Sequence, residues 1–201
     1  MRAVTWNVNS LRTRLERVQG FLGRHEPDLL CLQETKCTDE LFPRAVFEDA
    51  GWQVAVHGQK TYNGVALLSR EPLEDVVVGF PGDPAPEQAR VISASVGGVR
   101  WINVYVVNGK EVGSDKYALK LAWLDALTAW LRDAHDPADP LVMLGDFNIA
   151  PDDRDVHDPE EWRDRILFSG PEHERYSFNA QVGAKDLRET YLHAFRMVVE
   201  A

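Results

Sequence analysis

Two hydrophobic periodicities alternate along the chain and predict sheets with helices packed against them. Alternating or continuous apolar runs predict strands at 2–6, 29–33, 52–56, 64–69, 91–96, 101–107 and 141–145. Apolar residues at helical spacing predict helices at 11–25, 44–50 and 115–134. Ser10 is a possible N-cap of the first helix, and from Asp146 onward the chain turns polar with only weak helical periodicity. This order favours an α/β or α+β sandwich in a single domain.

Composition narrows the class of protein without deciding its partner. A net charge of −10 argues at first against nucleic acid, because Lys and Arg usually supply most of the non-specific affinity for phosphates. A metal-dependent phosphodiesterase needs a carboxylate-lined pocket, however, and a local basic rim can bind its substrate. Candidates for that rim are Arg12, Arg14, Arg17, Lys60 and Arg90.

The chain carries no sign of export, of a membrane span or of a disulfide framework. The first residues lack the apolar core of a signal peptide, and no run of about eighteen apolar residues occurs. We therefore expect a cytoplasmic protein that does not associate with membranes. Cys31 and Cys37 are too few for a disulfide framework and have no zinc-site spacing, so buried or incidental thiols are the preferred interpretation.

Polar side chains follow the predicted strands at four places along the chain. They are Asn7, Asn9, Glu34, Tyr105, Asn108, Asp146 and Asn148. For each residue alone, a turn or capping role is the simpler interpretation. Glu34 and Asp146 each end a nearly continuous apolar run, where an unpaired carboxylate is costly, so we expect a compensating cation. Carboxylate and amide oxygens suit Mg²⁺ or Mn²⁺ better than zinc.

Five segments stand out in order along the chain: WNVNSLR at 6–12, LQETK at 32–36, HGQKTYNGVALLS at 57–69, GFPGD at 79–83 and LGDFNIAP at 144–151. Together they closely resemble exodeoxyribonuclease III and its AP-endonuclease relatives, within the endonuclease/exonuclease/phosphatase superfamily. LQET and GDFN mark only the superfamily, which also contains phosphoinositide phosphatases and sphingomyelinases. The segment at 57–69 and VGSDKYALKLAWL at 112–124 are more specific to exonuclease III. The match runs from Met1 to about Gly170.

The resemblance implies a fold and an activity. The fold is a four-layer α/β/β/α sandwich of the DNase I type, formed by 1–201 as one domain. The activity is that of a monomeric DNA-repair nuclease acting on double-stranded DNA. It cleaves phosphodiester bonds at abasic sites, removes nucleotides from 3′ ends, or does both, and it uses Mg²⁺ or Mn²⁺.

The resemblance also implies roles for individual residues. Glu34 is the principal metal ligand, and Asn7, Asp146 and Asn148 belong to the same metal site. In catalysis, Asp146 is the acid/base residue, Asn148 orients a phosphate and Tyr105 donates its phenolic hydrogen to a phosphate oxygen. From the sequence alone, a core tyrosine satisfied within the strand is the preferred alternative for Tyr105. Asn9, Arg90 and Asn108 are the expected substrate contacts.

Two departures from the family pattern lead to alternatives. Val107 stands where the family usually has proline, which removes a fixed φ from the loop after Tyr105. No counterpart occurs for the family's terminal Ser-Asp-His segment or its preceding strand, so we expect the final strands and a catalytic segment to be absent. His157 as a substitute is less favoured than a solvated imidazole. The alternatives are an inactive DNA-binding or scaffold fragment of the same fold, and a phosphatase for phosphoinositides or small phosphodiesters.

Overall fold

The computed structural model describes residues 1–170, which contain eight strands and four α-helices. The strands are β1 Ala3–Asn7, β2 Leu29–Gln33, β3 Gln53–His57, β4 Val65–Ser69, β5 Glu74–Val78, β6 Val91–Val96, β7 Val99–Tyr105 and β8 Leu141–Asp146. The helices are α1 Leu11–His25, α2 Arg44–Glu48, α3 Asp115–Ala134 and α4 Pro159–Trp162. Short 3-10 turns occupy Asp39–Leu41 and Asp153–Asp155. No helix within this part of the chain is long and apolar enough to cross a membrane.

The strands form two four-stranded sheets with the orders β1-β2-β4-β3 and β5-β6-β7-β8. Within the first sheet, β1 and β2 run parallel, and β4 is antiparallel to both β2 and β3. In the second sheet, β7 and β8 run parallel, whereas β5, β6 and β7 are antiparallel neighbours. Each sheet therefore contains one parallel pair, and these two pairs carry the strand ends that matter for the site.

The two sheets pack face to face, and helices cover their outer faces. One apolar cluster fills the space between the sheets and includes Cys31, Leu67, Ile92 and Ala94. A second cluster packs α1 and α2 on the first sheet, and a third packs α3 on the second sheet. This arrangement confirms the predicted α/β/β/α sandwich. Cys31 and Cys37 are buried free thiols, as expected.

The sequence predicted most of these elements, and the differences have physical reasons. No strand is predicted over β5, because all five of its residues are exposed and no alternation marks a buried face. The strand predicted at 101–107 begins earlier, at Val99, and ends at Tyr105. Ser10 occupies the N-cap position of α1 but makes no side-chain capping bond, because its φ of 83° lies outside the usual cap conformation.

Gly145 allows β8 to approach β7 closely enough to place the carboxyl ends of the two strands side by side. A Cβ atom at this position would overlap the carbonyl oxygen of Val104, and the φ of Gly145 is 149°. Only glycine fits such a close approach of two backbones. The next residue, Asp146, is thereby paired with Tyr105 in the β7–β8 register.

Candidate active site

The site lies where the carboxyl ends of the two parallel strand pairs meet. β1 ends at Asn7, and β2 ends one residue before Glu34. In the second sheet, β7 ends at Tyr105 and β8 at Asp146. Parallel neighbours end at the same edge of a sheet, so each pair presents two side chains there. Because the sheets are stacked, the two pairs face each other.

Four of the side chains from these strand ends form one hydrogen-bonded cluster across the two sheets. The Nδ2 atom of Asn7 donates to Glu34 Oε1 at 2.9 Å and to Asp146 Oδ2 at 2.7 Å. The hydroxyl of Tyr105 donates to the same Glu34 Oε1, also at 2.9 Å. Two carboxylates from different sheets are thus held around a single amide group.

Glu34 is strained in its backbone and ionised in its side chain. Its φ is 53°, in the left-handed region that non-glycine residues rarely adopt, and such strain concentrates at functional sites. Its Oε2 forms an ion pair with Lys36 Nζ at 2.8 Å. Burial raises the pKa of Glu34, but hydrogen bonds from Asn7, Lys36 and Tyr105 outweigh that effect and hold it below the usual value.

Tyr105 keeps its proton and is supported from behind by Arg90. Burial, and then the hydrogen bond to Glu34, raise the pKa of Tyr105, so its hydroxyl remains a donor at neutral pH. The guanidinium of Arg90 lies 4.8 Å from the centre of the Tyr105 ring and donates to the Tyr105 carbonyl at 3.0 Å. The alternative for Tyr105 was a core tyrosine whose hydroxyl bonds within its own strand. The structure differs, because the hydroxyl bonds to the carboxylate of Glu34 at the site.

Arg90 does not lie on an exposed rim, and that part of the prediction is wrong. Only 8% of its surface is exposed, and Gln88 accepts from its Nε at 2.7 Å. Long cationic side chains are buried where their donors find partners, and here the strand-end carbonyl of Tyr105 is one. A role in substrate contact remains a prediction for Arg90.

Asn148 and Asn108 form a second group beside the cluster. Asn108 Nδ2 donates to Asn148 Oδ1 at 2.9 Å, and Asn148 Nδ2 donates to the carbonyl of Val106 at 3.0 Å. The backbone N–H of Asn148 donates to Asp146 Oδ1 at 3.0 Å, which ties this group to the cluster. The side chain of Asn148 is therefore oriented toward the loop after β7, and its φ of 49° is again left-handed.

Asn9 is connected to the cluster through Asn7 and Lys36. Its backbone N–H donates to Asn7 Oδ1 at 3.0 Å, and its Oδ1 accepts from Lys36 Nζ at 2.6 Å. His157, in contrast, is exposed in the loop before α4. His173, His193 and the segment from Tyr176 onward lie outside the described residues.

Two lysines that bond to residues of the site were not among the predicted site residues. Lys36 belongs to the LQETK segment, but its pairing with Glu34 depends on the left-handed turn at both residues. Lys120 is fully buried in α3, and its Nζ donates to the carbonyl of Asn148 at 2.7 Å. The buried stripe of α3 passes from Tyr117 through Lys120 to Leu124 at helical spacing, and this polar interruption of an apolar stripe was the available signal.

The donor set of the cluster fits a hard divalent cation. Glu34 and Asp146 provide carboxylate oxygens, and asparagine side chains surround them, which is the oxygen-rich chemistry that Mg²⁺ and Mn²⁺ prefer. Within residues 1–170 no group of three or more His, Cys, Asp or Glu side chains converges. A metal ion held here by protein would therefore rely on the two carboxylates, with amide oxygens and water completing its shell.

Comparisons with a family model, with curated relatives and with solved structures all indicate the same family. Residues 4–184 match the model of the Endonuclease/Exonuclease/phosphatase family. Exodeoxyribonuclease III of Haemophilus influenzae is 34% identical over 175 residues, which are 85% of this chain and 66% of that protein. The chain thus spans just under two thirds of the length of this relative.

Two solved structures show the same fold. A 3′ phosphatase from Neisseria, bound to a product DNA hairpin, superposes with a TM-score of 0.84 at 47% identity, covering 88% of this chain and 68% of that one. An AP endonuclease from Archaeoglobus fulgidus superposes with a TM-score of 0.83 at 38% identity, with the same coverage of the two chains.

Proposed function

The chain belongs to the Endonuclease/Exonuclease/phosphatase family, and on that premise we propose that it hydrolyses phosphodiester bonds of DNA with the help of a divalent metal ion. One observation carries the proposal: Asn7 bridges Glu34 and Asp146 from two different sheets, at 2.9 and 2.7 Å. Two carboxylates this close repel each other, and a divalent cation would offset their charge more fully than the Lys36 ammonium that is paired with Glu34. Phosphodiester hydrolysis needs such a cation at the phosphate.

The residues of the cluster divide the work of hydrolysis among them. Glu34 and Asp146 would hold the divalent ion, which when bound would offset negative charge on the phosphate and lower the pKa of a water molecule. Asn7 keeps the two carboxylates at a fixed separation. The ionised state of Glu34 at neutral pH, which follows from its lowered pKa, keeps it available as a ligand.

Three further groups act on the phosphate and the attacking water. The Tyr105 hydroxyl is protonated because its pKa is raised, and its one hydrogen is donated to Glu34 Oε1 in the free protein. When substrate binds, that hydrogen would turn from Glu34 to a phosphate oxygen. Asn148 Nδ2 carries two hydrogens, of which one bonds Val106, and the other orients a second phosphate oxygen. The Asp146 carboxylate accepts the proton of the water or returns one to the leaving oxygen.

Double-stranded DNA with abasic sites or unprocessed 3′ ends is the substrate class that we favour. The relatives support it, since one is an exodeoxyribonuclease, one an AP endonuclease and one a 3′ phosphatase with DNA bound. Asn9, Asn108 and Arg90 flank the cluster and are the candidate substrate contacts. One family model covers 4–184, which supports a single domain, and we propose that the protein acts as a monomer.

A substrate panel tests this proposal against its two alternatives. The wild-type chain and the variants Glu34→Gln and Asp146→Asn are incubated with Mg²⁺ or Mn²⁺, and separately with a chelator. The substrates are a duplex with an abasic analogue, a duplex with a recessed 3′ end and a soluble inositol phospholipid analogue. We expect metal-dependent cleavage of DNA by the wild type and its loss in both variants.

Either alternative would give a different result in the same panel. Hydrolysis of the lipid analogue without DNA cleavage would favour a small-substrate phosphatase. Duplex binding without metal-dependent cleavage would favour an inactive DNA-binding or scaffold protein.

A further inference from the structure

Two amide side chains are buried in the otherwise apolar layer between the sheets. Gln33, the last residue of β2, is 1% exposed, and Asn103 in the middle of β7 is fully buried. Their surroundings are the aliphatic side chains and Cys31 that pack the two sheets together. Buried amides are costly unless they are hydrogen-bonded, so their placement calls for an explanation.

These amides bond to each other and to both sheets. Gln33 Nε2 donates to Asn103 Oδ1 at 2.6 Å and to Thr5 Oγ1 on β1 at 3.0 Å. Asn103 Nδ2 donates to the carbonyl of Leu32 on β2 at 2.9 Å and to that of Ala66 on β4 at 3.0 Å. One side chain of the second sheet is thus joined to two strands of the first, and its partner reaches a third.

The position of this pair along the strands connects it to the site. Gln33 directly precedes Glu34, and Asn103 lies two residues before Tyr105 on the same face of β7. Two contacts link the sheets at the site, and each is a single hydrogen bond. They join Tyr105 to Glu34 and Asn7 to Asp146. A shift of the sheets by about 1 Å would break bonds of this length.

Apolar packing and hydrogen bonds fix the relative position of the sheets to different degrees. Hydrophobic burial depends on area and has no preferred direction, so it discriminates between neighbouring positions less sharply than directional bonds do. Hydrogen bonds between amides and strand carbonyls are directional and short, and they define one relative position of the two sheets.

We propose that Gln33 and Asn103 are positioning residues, which hold the two sheets in the register that brings Glu34 and Asp146 to a common metal site. The inference rests on the proposed function, because it assigns the pair a purpose in metal-dependent hydrolysis. Neither residue touches the reacting groups. Gln33 acts through Glu34, the next residue in the chain, and Asn103 acts through Tyr105, two residues further along β7.

The test uses near-isosteric apolar variants and a matched control. Asn103→Leu and Gln33→Met keep the approximate volume and remove the amides, and Asn103→Ser retains a smaller polar group in case the leucine variant does not fold. Val96→Ala is the control, since Val96 is fully buried in the same layer but lies at the opposite end of β6 from the site. Denaturant unfolding first identifies which amide variant loses as much stability as Val96→Ala, so that the two can be compared at equal stability.

Three readouts separate positioning from stability. Crystal structures give the distance from the Tyr105 hydroxyl to Glu34, which we expect to exceed hydrogen-bond length in the amide variants and to stay near 2.9 Å in Val96→Ala. Mn²⁺ titration gives affinity, which we expect to weaken about tenfold, as losing an outer partner of a metal site typically does. Cleavage of the abasic duplex gives kcat and KM, and kcat is expected to fall about tenfold with little change in KM.

An unchanged Tyr105–Glu34 distance in the amide variants, or Mn²⁺ affinity equal to that of Val96→Ala, would overturn the inference. The crystallographic distance does not depend on activity. If the wild type neither binds Mn²⁺ nor cleaves DNA, the proposed function fails, and the distance still decides whether the amide pair positions the two sheets.

Discussion

Replacing Asn7 with alanine removes the amide group that bridges the two site carboxylates. Its Nδ2 lies 2.9 Å from Glu34 Oε1 and 2.7 Å from Asp146 Oδ2, so those oxygens are at most about 5.6 Å apart. At that distance two negative charges repel by about 3 kcal/mol at an effective dielectric of 20, and by less than about 1 kcal/mol in water. The site is half-buried, so we expect Asn7→Ala to lower the free energy of unfolding by about 2 kcal/mol at pH 7.

The penalty should depend on pH in a defined direction. In the wild type, the hydrogen bonds from Asn7, Lys36 and Tyr105 lower the pKa of Glu34 from 4.5 despite the opposing effect of burial. A carboxylate with a lowered pKa in the folded state stabilises the fold above its unfolded pKa, and that contribution is lost as pH falls through the folded pKa. The difference between wild type and Asn7→Ala should therefore be full at pH 6–7 and shrink as the pH is lowered below about 4.

Urea denaturation between pH 3 and pH 7, without and with Mn²⁺, measures this effect. Asn7→Asp is the informative companion, because it puts a third carboxylate in place of the amide. Without metal it should be less stable than Asn7→Ala, and Mn²⁺ should restore more stability to it than to Asn7→Ala. A loss in Asn7→Ala that is below about 0.5 kcal/mol, or that is independent of pH, would refute the reasoning that Asn7 holds two ionised groups together.

Three further substitutions test other contacts of the site and its scaffold. Tyr105→Phe removes the donor to Glu34 and should lower kcat for the abasic duplex about tenfold or more while the unfolding midpoint changes little; equal kcat would contradict a role on the phosphate. Lys36→Met removes the partly exposed ion pair with Glu34, so stability without metal should fall by up to about 1 kcal/mol. Because the Lys36 ammonium and the metal compete for Glu34, titration calorimetry should show tighter Mn²⁺ binding in this variant, and weaker binding would argue against that competition. Ser114→Ala removes the N-cap bond to Tyr117 N in α3 and should cost about 1 kcal/mol in urea denaturation, with Ser114→Asp as the control that retains a capping oxygen.

The strand-end positions of the site could be read from the sequence because a polar residue after an apolar run is a local signal. LLCLQ predicted β2 with its observed bounds, since a strand buried on both faces reads as a continuous apolar run. Glu34 and Asp146 were predicted as site residues because an unpaired carboxylate beside such an apolar run is costly. Their proximity to each other was not visible in the same way, because it depends on how two sheets stack.

The missed features depend on contacts between residues far apart in the chain. β5 was missed because Val76, Val77 and Val78 are each close to half exposed, so no period of two appears. Arg90 was placed on a rim because arginine is usually exposed, yet the Tyr105 ring and carbonyl provide it with a buried site. Asn103 looked like an ordinary strand residue, and only its partners across the layer, 70 and 71 residues away, explain its burial.

Mn²⁺ titration of the wild type and of the single variants Glu34→Ala and Asp146→Ala tests the central claim most directly. The claim is that one cation binds between a carboxylate of the first sheet and a carboxylate of the second. It predicts about one bound Mn²⁺ per chain in the wild type and at least tenfold weaker binding in both variants. Binding that survives either substitution unchanged would contradict a metal centre shared by Glu34 and Asp146.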